Sequence, residues 1–338
     1  MKLVQDPNKI GEGGRILSIP QSLKKYIVPW AMAEYREYDF GYILTQEWVD
    51  PKFSVFMWRL NIQKPVKLYP ATNKPTISLF CTLEGNIRFI LSGFGEKLLG
   101  PFRMEMLYIP GTLNEATFEP GRYQSLHIEM DSEFLEDALP VHPFIQKLLD
   151  GLTKSNELGI ALDPVNIGYV TLAILERMRN SSEEVGGLRL EMKDLIQELL
   201  VEYIHESEER KRILGLGDNP YKKTIIAIRD YILHAPHIHD YPIAGLAREF
   251  GISQTAVKAN FKIFFGLPLG KFIRFHALAK ARYLIASSDR SIDGIAFDVG
   301  YPSRSNFDKA FKRQYDCKAT QARNFLAKSL PKNPDQIH

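Results

Sequence analysis

Cysteine is nearly absent from this chain of 338 residues: there are two, Cys81 and Cys317, far apart in sequence. They fall in different expected domains, which excludes a disulfide framework and a cysteine-built metal site. No long uncharged apolar run occurs, so no membrane-spanning helix is expected and the membrane is not an expected partner. The opening MKLVQDPNKIGEGG lacks the order of a signal peptide, and a cytoplasmic location is expected. Histidine is too sparse for metal chemistry where strands predominate. The first 150 residues hold only His127 and His142, and His142 adjoins Pro143 outside the strand run. A metal-dependent barrel enzyme needs about three histidines and a carboxylate converging on the ion. No catalytic residue, metal or cofactor is assigned, and an enzyme is not expected. With 45% apolar and 25% charged residues the composition is that of ordinary soluble domains, two or three at this length.

What is present is an internal repeat near the C-terminus. Ile243, Gly245, Leu246, Ala247, Gly251, Ser253, Val257, Phe261 and Lys262 recur as Ile292, Gly294, Ile295, Ala296, Gly300, Ser303, Phe307, Phe311 and Lys312. The offset is 49 up to the glycine and 50 after it, Pro302 being the inserted residue. Two helices crossing steeply need a small residue at closest approach, Ala247 or Ala296, and a glycine at the turn, Gly251 or Gly300. Val257 and Phe261, like Phe307 and Phe311, stand four apart and fill the space between the helices. One such hairpin is unremarkable in any helical protein. Two at a fixed offset point to paired helix-turn-helix units, and two are too few for a solenoid. Between them Leu269 to Ala286 has helical periodicity with Lys271, Arg274, Lys280 and Arg282 basic. Such a helix spans on the order of 27 Å, approaching the roughly 34 Å between successive major-groove faces.

On the second helix of each unit, the residues between the buried ones face outward. These are Gln254, Thr255, Lys258, Ala259 and Lys262 in the first copy, and Arg304, Ser305, Asn306, Asp308, Lys309 and Lys312 in the second. Arg304 suits a bidentate pair with guanine and Asn306 one with adenine, whereas Thr255 and Ala259 offer a hydroxyl or a methyl. The second copy is therefore expected to carry more direct readout and the first to rely on phosphates and DNA shape. Charge agrees: residues 221–338 carry 19 Lys+Arg against 9 Asp+Glu, while the rest carries 24 against 31. A basic domain attracts phosphates and binds in a salt-dependent way.

The two repeats, the connecting ALAKARYLI with Arg274, and IAFDVGYPSRSNFDKAFKRQY resemble the DNA-binding domain of the AraC/XylS transcription regulators over about the last hundred residues. That family usually follows the second repeat with a glycine and a Thr-Pro pair, where this chain has Asp316 and Lys318-Ala319. The resemblance implies base contacts at Thr255, Lys258 and Ala259 and at Arg304, Ser305, Asn306 and Lys309. It also implies double-stranded promoter DNA, a small-molecule effector, a second copy of the chain and RNA polymerase as partners. Whether transcription rises or falls is left open by the residues.

Residues 37–130 form a series of short strands: YDFGYIL, SVFMWRLNI, TISLFCTL, NIRFIL, MEMLYIP and YQSLHIEM. Leu83-Glu84-Gly85-Asn86 predicts a hairpin turn, and the whole predicts a sandwich or barrel. The family resemblance implies a cupin-like barrel here, and LFCTLEGNIRFI, MLYIPG and HIEM resemble the sensor domain of the pyochelin-type siderophore regulators. Aromatic strand residues are commonly core, yet they also suit an amphipathic ligand. Phe56, Trp58, Phe80 and Tyr108, with Arg59 and Arg88 for an anionic group, are the candidate effector contacts. His234, His237 and His239 have metal-compatible spacing but lie in a proline-bounded loop with no cysteine near, and no metal is assigned to them.

Two further helical stretches are expected at 163–179 and 188–205. The second has an apolar stripe, Leu188, Met192, Leu195, Ile196, Leu199, Leu200, Tyr203 and Ile204, suited to dimerisation or to capping the barrel. Glu206 to Asn219 is the expected linker. The expected fold class is α+β and multidomain. It comprises an N-terminal cupin-like β-barrel with trailing helices (effector-sensing, 1–135), a helical dimerisation region (136–205), a linker (206–220) and an all-α DNA-binding domain of two helix-turn-helix units joined by a long helix (221–330). A ligand-responsive regulator fits this layout; a ligand-independent architectural DNA binder is the alternative.

Overall fold

A computed structural model describes residues 2–4, 14–71, 74–91, 95–111, 114–139, 142–154, 158–182, 187–215, 219–234, 236–238, 241–265, 267–315 and 317–328. The chain divides into two units, Met1–Val165 with Val185–Tyr203, and Asn166–Glu184 with Ile204–His338.

The first unit is sheet-rich. Its strands are β1 (Lys2–Val4), β2 (Arg15–Leu17), β3 (Met32–Tyr38), β4 (Gly41–Val49), β5 (Phe53–Ile62), β6 (Val66–Ala71) and β7 (Thr76–Glu84). They continue as β8 (Ile87–Leu91), β9 (Gly95–Leu99), β10 (Arg103–Ile109), β11 (Glu115–Phe118), β12 (Gly121–Met130), β13 (Ile160–Ala161) and β14 (Val165–Asn166). Helix α1 (Gln21–Lys24) precedes β3, and α2 (Ser132–Ala138) and α3 (Pro143–Thr153) follow β12. One sheet has the order β13-β10-β7-β12-β5-β4-β3-β2 with β14 beside β10, and the other is β1-β6-β11-β8-β9. Alternation along the strands sets the core. Trp58, Leu60, Phe80, Leu107 and Ile109 of the first sheet meet Leu68, Ile87, Phe89, Leu99 and Phe118 of the second in one buried cluster. Each such side chain contributes roughly 1.5–3 kcal/mol by leaving water.

Two expectations change here. The turn at Gly85-Asn86 exists, but β7 and β8 do not pair: β8 joins β11 and β9, so the turn passes the chain from one sheet to the other. The stretch 163–179 begins with the short strand β14, and helix starts only at Tyr169, because Pro164 has no N–H to donate and Gly168 takes the N-cap position.

Helix α5 (Leu188–Gly215) contributes its first sixteen residues to the first unit. Its stripe Met192, Leu195, Ile196, Leu199, Leu200 and Tyr203 is completely buried within the chain, and the Tyr203 hydroxyl donates to the Asp163 carbonyl at 2.7 Å. Arg189 grips Asp50 with two nitrogens, one at 3.1 Å, and this hydrogen bonding holds the Asp50 carboxyl below its usual range. The stripe is internal core and not a free face for a second copy.

The second unit is helical: α4 (Tyr169–Asn180), the remainder of α5, α6 (Lys222–His234), α7 (Ile243–Glu249), α8 (Gln254–Phe265), α9 (Leu269–Ser287), α10 (Ile292–Asp298), α11 (Arg304–Tyr315) and α12 (Ala319–Lys328). The expected linker is corrected here, since 206–215 is helix. Its charges pair along and across the helix, with Lys211–Glu208 at 3.8 Å and Arg212–Glu209 at 3.5 Å outside and Glu206 against the buried Arg229 at 3.2 Å, while Ile213 is fully buried among α6, α7, α8 and the start of α9. Residues 216–218 of that expectation lie outside the described residues. Among the described residues two cores serve this unit. One joins α6, α7, α8 and Leu269, Phe272 and Ile273 of α9; the other joins Ala277, Leu278, Ala281 and Ile285 of α9 with α10 and α11. Helix α4 lies along α9, with Glu176–Arg282 at 2.7 Å and the Tyr169 ring against Phe275 and His276.

Candidate nucleic-acid interface

The pairs α7/α8 and α10/α11 are built alike down to individual hydrogen bonds. After α7 the Ile252 amide donates to the Ala247 carbonyl, and after α10 the Tyr301 amide donates to Ala296, both at 2.9 Å. This six-to-one bond is the Schellman closure, which needs a left-handed residue at the helix end. Gly251 (φ +65°) and Gly300 (φ +90°) supply it. Ser253 and Ser303 then accept from the Ala256 and Asn306 amides, at 3.1 and 3.3 Å, capping α8 and α11. The repeated apolar positions do what their spacing requires: Val257, Phe261, Phe307 and Phe311 are completely buried.

The copies differ in their surroundings. A Cβ on Gly300 would come within 2.7 Å of the His237 ring and the Ile238 amide nitrogen, whereas nothing lies within 4 Å of the same position on Gly251. The Ile238 amide also donates to the Val299 carbonyl at 3.0 Å. The histidine-containing loop thus seals the second turn, with His237 against its backbone; His239 lies outside the described residues.

Gln254, Thr255, Lys258, Ala259 and Lys262 are all exposed on α8, as are Ser305, Asn306, Lys309 and Lys312 on α11. Arg304 differs. Its Nε donates to Asp308 at 2.8 Å and a terminal nitrogen to Asp293 at 3.3 Å, leaving its side chain only 27% exposed. Two carboxylates thus hold the guanidinium in place. Asn260 and Arg313 were not singled out from sequence. Asn260 faces inward on α8, donating to the Ala256 carbonyl and accepting from Asn219 at 2.8 Å. Arg313 projects with Lys271 and Arg274 into a groove between α9 and α11. Burial pushes the Tyr301 hydroxyl above its ordinary range, with the Arg274 and Arg313 guanidiniums opposing the shift. His276, buried on α9, is held neutral by burial and by Arg229, its pKa lowered to about 3.

In the sheet-rich unit the six candidate effector residues do not share a site. Trp58 and Phe80 line an apolar cavity of about 40 Å³ together with Phe89 and Phe118. Phe56 and Phe80 stack on either side of His127, at 4.8 and 5.5 Å. His127 is fully buried, its pKa well below the ordinary value through burial. Tyr108 is buried beneath Gly151 of α3. Arg59 lies over the Tyr26 ring at 3.8 Å and donates to Gln124 at 3.0 Å, and Arg88 is exposed and paired with Glu96 at 3.0 Å, so neither guanidinium lines the cavity.

The sequence profile of a helix-turn-helix domain family matches residues 246–324, which takes in most of both helix pairs and all of α9. The HTH-type transcriptional regulator ExsA of Pseudomonas aeruginosa is 27% identical over 97 residues, 29% of this chain and 35% of ExsA. An uncharacterized HTH-type transcriptional regulator of Haemophilus influenzae is 27% identical over 188 residues, 56% of this chain and 53% of that protein. The chain thus spans a third to a half of the length of these two relatives. The regulatory protein SoxS of Escherichia coli is 32% identical over 91 residues, 26% of this chain and 85% of SoxS. The first two relatives are named transcriptional regulators and the third a regulatory protein. With a shared repeat, a matching domain profile and a relative covered over most of its length, the chain belongs to the AraC/XylS family of DNA-binding transcription regulators.

Proposed function

We propose that α7/α8 and α10/α11 are helix-turn-helix units that place α8 and α11 in two adjacent major-groove segments of one duplex. The observation that carries this reading is the duplicated construction, turn hydrogen bond for turn hydrogen bond, with the polar faces of α8 and α11 exposed. Helix α9, at 19 residues and about 28 Å, sets a separation near one helical turn of DNA. Base contacts fall to Thr255, Lys258 and Ala259 and to Arg304, Ser305, Asn306 and Lys309, with Gln254, Lys262 and Lys312 on flanking phosphates or bases. The sheet-rich unit is the cupin-like sensor of a small molecule whose binding biases the DNA-competent state, the output being activation through RNA polymerase at a promoter. The protein acts as a homodimer, through a surface other than the buried α5 stripe. Among the described residues no helix is long and apolar enough to cross a membrane. Selection from a random duplex library with the full-length protein tests the reading: it predicts an enriched site with two conserved segments about 10 bp apart, and no enrichment would contradict it.

A second reading, ligand-independent architectural binding, is favoured by the small size, about 40 Å³, of the apolar cavity lined by Trp58 and Phe80 among the described residues. An effector entering that cavity would displace core side chains. A ligand that raises the melting temperature of the full-length protein supports the sensor reading; a screen with no such ligand supports the architectural one.

A further inference from the structure

Between α9 and α11 the helical unit carries an open groove of about 450 Å³, lined by Lys271, Arg274 and Phe275 of α9 and by Ala310, Arg313 and Gln314 of α11. Helical spacing creates it. Residues 271, 274 and 275 fall on one stripe of α9, between the part that serves the first core and the part that serves the second. Three cations converge there, and among the described residues none of them is engaged by a carboxylate. The arginines around them are engaged: Arg282 with Glu176, Arg290 with Asp298, and Arg304 with both Asp293 and Asp308. Three like charges converging without a carboxylate among them call for an anion.

The form of the groove selects which anion. Small-molecule pockets enclose most of their ligand, but Lys271, Arg274, Arg313 and Phe275 are all exposed, with Phe275 at 42%. An extended anion crossing the surface fits better. Arg313 is one turn beyond Lys309 on α11, so the groove opens beside the side of that helix assigned to the major groove. Phosphates border any helix so placed. We propose that Lys271, Arg274 and Arg313 grip backbone phosphates of the DNA strand running between the segments read by α8 and α11. This rests on the DNA-reading function proposed above and adds a third contact region, one that positions the duplex without reading its sequence.

The test is the salt dependence of full-length protein binding to a random duplex and to the duplex enriched by selection. Each phosphate contact contributes about 0.9 to the slope of log affinity against log salt. The double variant R274Q/R313Q is expected to flatten the slope by about 1.8 on both duplexes, and K271Q by about 0.9, with the preference for the enriched duplex unchanged. R274K/R313K, which keeps the charges, is expected to restore the wild-type slope. A wild-type slope in the folded glutamine variant overturns the proposal, as does a variant that loses binding of inorganic phosphate while its DNA slope stays the same. If the glutamine variant does not fold, wild-type protein on duplexes with neutral methylphosphonate linkages between the two segments answers the question: a flatter slope supports the groove and an unchanged one overturns it. A slope change in a protein with no sequence preference supports the groove and overturns specific reading; no binding to either duplex overturns both.

Discussion

Gly251 and Gly300 occupy the same place in two copies of one turn but carry different loads. Both have left-handed backbone, which costs a residue with a Cβ roughly 1–2 kcal/mol. Only Gly300 is also pressed against another segment, the His237 ring and the Ile238 amide nitrogen. Gly251→Ala is expected to lower stability by about 1 kcal/mol and Gly300→Ala by about 3 or more, read as denaturant midpoints of the full-length protein; equal effects would show that the close approach does not matter. The buried histidines give a pH signature. His276 is neutral when folded, with its pKa lowered from 6.5 to about 3, so above pH 6.5 both states are neutral and its contribution is complete. As pH falls below 6.5 the unfolded chain takes up a proton that the folded one refuses, and the His276 contribution drops by about 2 kcal/mol by about pH 5. His276→Phe is expected to reduce the acid sensitivity of the helical unit, followed by circular dichroism, and an unchanged pH slope would contradict this. Outward positions such as Lys258, Asn306 and Lys309 were legible from spacing alone. The clamp on Arg304 was not, because Asp293 comes from a different helix.

At the scale of elements, the repeat was the most legible feature, since each copy carries its steric requirements in consecutive residues. What the sequence hid were partners distant along the chain. Gly85-Asn86 has hairpin chemistry, yet the strands it joins enter different sheets, a choice made by β11 and β12 and not by the turn. Glu206 to Gly215 has the charge of a linker, yet its cations and carboxylates pair at helical spacing around the buried Ile213. Ile213→Ala therefore distinguishes a packed helix from a tether. It is expected to cost about 2–5 kcal/mol in the unfolding of the helical unit, whereas a change below about 0.5 kcal/mol would mean the segment is not packed. The α5 stripe was legible as apolar, but its burial inside the chain depended on partners distant in sequence, such as the Asp163 carbonyl that takes the Tyr203 hydroxyl.

For the whole molecule, the division of charge is more informative than the total. Residues 221–338 hold 19 Lys+Arg against 9 Asp+Glu, and the remainder holds 24 against 31, so attraction to a polyanion resides in the C-terminal part of the chain that carries α6 to α12. Electrostatics alone gives sequence-blind binding; the paired construction of α7/α8 and α10/α11 predicts more. The most direct measurement is binding of the full-length protein, across a salt series, to the DNA upstream of its own gene and to a random duplex, with the bound DNA then footprinted. The account predicts a complex that persists on the upstream DNA at salt where random binding is lost, with two protected major-groove segments about one helical turn apart. Equal affinities falling together with salt, or a single protected segment, would contradict it.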